Sequence, residues 1–121
     1  MDDEFLRDLF SSLPVISIRR MFGGKGIYSD GRIVAVVVGD ELYLKSDDQA
    51  AERYEAAGLK RWVYPRPGKT PITMPYYRLP DEAFDDPEVA ADWIAVADAA
   101  ASRASKTGKP KRTRRVRKRM A

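Results

Sequence analysis

Helical spacing at the two ends of this chain and strand spacing between them predict an α+β fold. The expected architecture is a two-layer sandwich, an antiparallel sheet of about five to six strands with three helices, in the order α-β4-α-β2-α. Three observations carry this reading. Apolar residues recur at helical intervals in 4–13 and again in 89–104. Short alternating runs between them are separated by the turn dipeptides Asp30-Gly31 and Gly39-Asp40. Helix-start signals stand at Ser46 and at Asp86-Pro87.

Each element follows from its residues. Phe5, Leu6, Leu9, Phe10 and Leu13 line one side of a first helix, with Asp2 and Asp3 at its positive end and Pro14 closing it. Val15–Phe22 reads as a strand leading into Gly23-Gly24. Lys25–Ser29 and Arg32–Val38 form a hairpin about Asp30-Gly31, and Glu41–Lys45 returns after Gly39-Asp40. The run IVAVVV is apolar on both faces and belongs in the centre of the sheet. Ser46 with Gln49 forms a capping box for a second helix that ends near Ala57, with Gly58 as its left-handed terminator. Trp62–Tyr64 is a short strand, 65–71 a Pro/Gly loop, and Ile72–Leu79 a further strand. Pro75 within it implies an edge position or a bulge. The last helix opens at Asp86-Pro87, carries Val89, Trp93, Val96, Ala97, Ala100 and Ala104 on one side, and frays near Ser105.

Charge divides the chain in two. Residues 105–121 (SKTGKPKRTRRVRKRMA) hold nine Lys or Arg and no acid, a net of +9, whereas 1–104 hold thirteen basic and eighteen acidic residues, a net of −5. A stretch so charged and so poor in apolar groups does not offset its ordering entropy. The expected organisation is thus a domain over 1–104 and a disordered basic tail over 105–121. The tail's natural partner is a polyanion. Lys106, Lys109, Lys111, Arg112, Arg114, Arg115, Arg117, Lys118 and Arg119 are the candidate nucleic-acid-binding residues. No aromatic interleaves them, so contacts would be electrostatic and nearly blind to sequence. The competing reading is a solubilising extension. A membrane-surface role has only Val116 and Met120 as apolar anchors.

Missing residue types restrict the chemistry. With no His and no Cys, imidazole, thiolate and the usual zinc ligand sets are excluded. No metal and no cofactor is expected, and the reading is non-enzymatic. No disulfide supports the fold, no run reaches the ~20 apolar residues of a membrane span, and the acidic start MDDEFLRDLF is unlike a secretory leader. Cytoplasmic residence is the expectation.

The segment from Arg19 to Tyr28, RRMFGGKGIY, resembles the signature of the TfoX/Sxy N-terminal domain family. The likeness continues through Asp30-Gly31, Leu42–Lys45, Met74–Tyr77, Leu79-Pro80, Asp86-Pro87 and Trp93, covering roughly residues 4–100. It implies a compact α/β domain found in bacterial regulators of natural competence, some of them transcriptional co-regulators. Their full-length members carry a second, helical domain where this sequence has its basic segment. The implied partners are proteins, with the transcription machinery among them.

Within that signature Arg20, Met21, Phe22, Gly23 and Gly24 are the family-motif candidates. Gly23-Gly24 can present backbone N–H groups to an anion, but the simpler reading is a bulge or sharp bend with Met21 or Phe22 in the core. Gly23-Gly24-Lys25-Gly26 lacks P-loop spacing and no helix follows it. The acid pairs Asp47-Asp48, Asp81-Glu82 and Asp85-Asp86 stand at helix starts, where they serve as caps. Trp62, Tyr64, Tyr76, Tyr77 and Arg78, with Arg66 and Lys69, form an aromatic and basic group. Such a group suits single-strand binding if exposed, or core packing if alternate rings turn under the helices. The function expected is a regulatory or adaptor domain with a nucleic-acid-binding tail. The alternative is a protein- or peptide-interaction module acting through a sheet edge, at Ile72–Leu79, by self-association or partner binding.

Overall fold

A computed structural model describes the backbone of residues 1–21 and 23–113, with side-chain burial through 105. Helix α1 (Asp3–Leu9) starts where the Asp2 carboxylate accepts the Phe5 N–H at 2.8 Å. It ends four residues earlier than the apolar spacing suggested, and residues 10–13 form turns. Leu6 and Phe10 are fully buried; Phe5 is 40% exposed and stacks on Phe84.

Strands β1 (Ile16–Met21), β2 (Gly24–Ser29), β3 (Arg32–Val38) and β4 (Glu41–Lys45) form an antiparallel meander. Asp30 and Gly31 both have positive φ (51° and 80°), as a two-residue type I′ hairpin turn requires. Helix α2 (Asp48–Ala56) follows. Its cap is Asp47, whose carboxylate accepts the Ala50 N–H, rather than Ser46, whose hydroxyl donates to the Asp47 carbonyl. At the other end Gly58 (φ +78°) closes a Schellman motif: its N–H donates to Glu55 and that of Leu59 to Tyr54.

Strands β5 (Arg61–Tyr64) and β6 (Ile72–Arg78) complete a six-stranded sheet in the order β1-β2-β3-β4-β6-β5. The edge strands are therefore β1 and β5. The expectation that Pro75 marks an edge fails, because β6 pairs with β4 on one side and β5 on the other. The bulge expectation holds. The β5–β6 register shifts opposite Pro75, between Arg61 and Val63, and the Pro75 carbonyl accepts the Ser46 N–H just past the end of β4. An imino residue is thus accommodated inside the sheet where the ladder is interrupted.

A 3₁₀ turn (Asp81–Phe84) leads to helix α3 (Pro87–Thr113), capped by Asp86, whose carboxylate accepts from Glu88 and Val89. Its backbone continues to Thr113, past the expected end near Ser105 and through Gly108 and Pro110, which intrinsic helix propensity disfavours. The core joins Leu6, Phe10, Tyr54, Ile94 and Ala97 from the helices to Ile27, Ala35, Val37, Leu42, Leu44 and Tyr77 from the sheet. The register aligns those strand residues on one face. Trp93 is partly buried against this core and lies 5.7 Å from the Tyr54 ring. Among the described residues, no helix is long and apolar enough to cross a membrane.

Candidate functional site

Strand alternation sends every second side chain to the face away from the helices. Val36 and Tyr76 are buried, yet neither belongs to the helix-side core. What covers them is the face itself. Val36 stands between Gly26 and Tyr43, Tyr43 beside Arg78, and Tyr76 beside Lys45. Trp62 of β5 lies nearly parallel to Tyr43 at 5.2 Å, and meets Tyr76 at 6.1 Å and Tyr64 at 6.4 Å edge-on. Offset and edge-to-face pairs of this kind are worth about 0.5–1.5 kcal/mol each beyond their burial.

Towards β1 the face is built over a glycine. A methyl group at Gly26 would lie 3.0 Å from Tyr28 Cε1 and 3.1 Å from Met21 Cε, so those side chains close over the vacant position. The Arg19 guanidinium stands 5.0 Å from the Tyr28 ring centroid, and Lys45 Nζ 5.3 Å from that of Tyr76. Burial raises the Tyr76 phenol above its ordinary pKa, with Tyr28 nearby adding to the shift, so Tyr76 stays neutral at physiological pH.

Electrostatically the face is cationic although the domain is acidic. Glu41, which β4 contributes here, accepts a hydrogen bond from Arg78 Nε; Arg78 Nη2 also reaches Asp81 at 3.0 Å. Hydrogen bonding to Glu41 holds the Arg78 guanidinium above its usual pKa. Among the described residues, neither Arg19 nor Lys45 enters an ion pair.

The aromatic and basic group read from the sequence is thereby divided. Trp62, Tyr64, Tyr76 and Arg78 share the open face. Tyr77 turns under the helices, 5.0 Å from the Tyr54 ring, with its hydroxyl donating to Glu55. Arg66 closes its own loop through two hydrogen bonds to the Thr70 carbonyl. Tyr28, Tyr43, Arg19 and Lys45 join this face, although the aromatic and basic group read from the sequence does not contain them. The alternation of Tyr43 against Leu42 and Leu44 was their signal, but their meeting with Trp62 depends on strand order.

The motif block serves the backbone. Gly23 has φ +83°, and a Cβ at Gly24 would lie 1.9 Å from the Val37 carbonyl oxygen, so only glycine lets β2 approach β3 there. Met21 is 38% exposed and turns to the open face, because strand alternation puts it on the same side as Arg19, over Gly26; of the two residues expected in the core, Met21 or Phe22, it is therefore not the one. Arg20 is exposed, and Phe22 lies outside the described residues. Lys25 is tied to Asp3 at 2.7 Å and the Met1 carbonyl at 3.0 Å. The candidate cations Lys106, Lys109, Lys111 and Arg112 fall on the α3 backbone, their side chains outside the described set; Arg114, Arg115, Arg117, Lys118 and Arg119 lie wholly outside the described residues.

A family model described as the TfoX N-terminal domain matches residues 8–101. No curated protein matches the chain.

Proposed function

We propose that this chain, which belongs to the TfoX N-terminal domain family, is a non-enzymatic regulatory adaptor of the competence-regulator type whose cation-rich segment binds nucleic acid without sequence preference. Family membership supports the regulatory part, and cytoplasmic action goes with it. The observation carrying the nucleic-acid part is the division of charge, +9 over 105–121 against −5 over 1–104. A polycation attached to an acidic domain concentrates polyanions by counterion release, with log K falling by about 0.9 per neutralised phosphate per decade of salt on duplex DNA. Fluorescence anisotropy on DNA and RNA compares the full chain with a version ending at Ala104. The full chain is expected to bind with steep salt dependence and the shortened one to lose most of that affinity. Equal, salt-independent affinities for the two would remove the segment from the account.

One observation favours a second reading, an interaction module working through a sheet edge. Strand β5 is an edge on which Val63 and Tyr64 are each 49% exposed, the arrangement that β-augmentation uses. The edge concerned is β5 rather than Ile72–Leu79. Sedimentation equilibrium with partner capture tests it; a strict monomer that retains no protein excludes it.

A further inference from the structure

We infer that the open face of the sheet is a stacking platform for single-stranded nucleic acid, with Tyr64 and Trp62 receiving bases and Lys45 and Arg19 receiving phosphates. The inference rests on the nucleic-acid reading above and adds what the cation-rich segment lacks, since no aromatic lies in 105–121. Six strands at about 4.8 Å spacing give a platform about 24 Å wide. Tyr64 is half exposed at one end, Arg19 is exposed near the other, and Lys45 lies between them.

Charge selects the occupant. Arg19 and Lys45 lie over aromatic rings without an acid partner among the described residues, while Glu41 and Asp81 share the guanidinium of Arg78, so the balance of these charges stays positive. The chain's own cationic segment is repelled by such a face, and a second copy would bring the same cations against it. A polyanion carrying flat apolar rings satisfies both the charge and the aromatics. Bases already stacked in a duplex do not offer those rings, so the ligand is single-stranded.

Position supports the same conclusion. Ala104 and Ser105, the last described side chains of α3, line one shallow depression with Ile33 and Lys45. The cation-rich stretch therefore begins near Lys45.

The test uses the full chain with a labelled poly-dT oligonucleotide and a blunt duplex of equal length. Base stacking on a single ring contributes roughly five- to hundredfold in affinity. Tyr64→Ala and Trp62→Ala are expected to weaken poly-dT binding by about tenfold while leaving the duplex unchanged, and Lys45→Gln to flatten the salt dependence on poly-dT. Phe5→Ala, an exposed ring beside the helices, is the control expected to change neither. Trp62 is partly buried, so Tyr64→Ala, at a half-exposed position, keeps the measurement decisive if Trp62→Ala unfolds. Equal affinity of poly-dT and duplex, unaltered by Tyr64→Ala, overturns the platform and leaves the charged segment standing. A full-length variant with its nine cations at 106–119 replaced by Gln that keeps ring-dependent poly-dT binding has the opposite meaning. Concentration-dependent dimerisation abolished by Tyr64→Ala, or no poly-dT binding at low salt, also overturns it.

Discussion

Arg103 grips Asp47 with two hydrogen bonds, Nε to Oδ2 at 2.6 Å and Nη2 to Oδ1 at 2.9 Å, while the same Oδ1 caps α2 by accepting the Ala50 N–H at 2.8 Å. One carboxylate thus ends α2 and anchors α3 fifty-six residues away. Such paired, charge-assisted bonds are stronger than a simple surface ion pair.

Asp47→Ala removes both functions and is expected to cost about 1–3 kcal/mol, a cap of roughly 1 kcal/mol plus the lost pairing. Asp47→Asn keeps a capping oxygen and is expected to cost less than half as much. Urea unfolding of the two variants checks this, and equal losses would assign the whole effect to Arg103.

Acid should weaken the same junction. The hydrogen bond from Arg103 holds the Asp47 carboxyl below its ordinary pKa, with the Ala50 N–H assisting. A lowered folded-state pKa adds stability that is complete above the unfolded value of about 3.9 and is lost as pH falls through the folded one. Arg103→Ala is expected to reduce the slope of stability against pH below about pH 4. Urea midpoints measured across that range, compared with the parent chain, read it directly.

Two neighbouring glycines should differ in cost. Gly23→Ala meets open space and pays only for a left-handed backbone, about 1–2 kcal/mol. Gly24→Ala drives a methyl group into the Val37 carbonyl at 1.9 Å and is expected to cost about 3 kcal/mol or more. Thermal unfolding gives the ranking; the reverse order would mean that the β2–β3 approach is not a tight one.

Tyr54→Phe tests how the open face is held from beneath. The fully buried Tyr54 hydroxyl donates to the Lys45 carbonyl at 2.9 Å, and its loss leaves that carbonyl short of a partner at about 1–3 kcal/mol. Burial raises the Tyr54 phenol well above its ordinary pKa, with Asp47 adding to the shift. A raised folded-state value makes this contribution full below about pH 10 and progressively lost above it as the unfolded phenol ionises. Tyr54→Phe is expected to flatten the alkaline fall of the urea midpoint.

Much of the fold was legible because its signals are local. Asp30-Gly31 adopts the left-handed pair that its turn demands, Gly58 closes α2, and Asp86-Pro87 opens α3. IVAVVV is interior because both faces of β3 are covered, one by helices and the other by rings. The α2 cap was misplaced by one residue. Ser46 and Asp47 are both competent caps, and the choice goes with a carboxylate that Arg103 also binds. The candidate platform was half legible. Trp62, Tyr64 and Tyr76 stood out as a group, whereas Tyr28, Tyr43, Arg19 and Lys45 belong to it only through cross-strand pairing.

By itself the sequence determined where chain direction reverses, which segments coil or extend, and how charge is divided along the chain. Those properties depend on backbone sterics, side-chain period and formal charge within a few residues. The tertiary structure alone decided that β6 enters between β4 and β5, and so which rings Tyr43 and Lys45 meet on the open face. That choice belongs to packing and register, in which distant strands compete for the same hydrogen-bonding edge and no single segment holds the outcome.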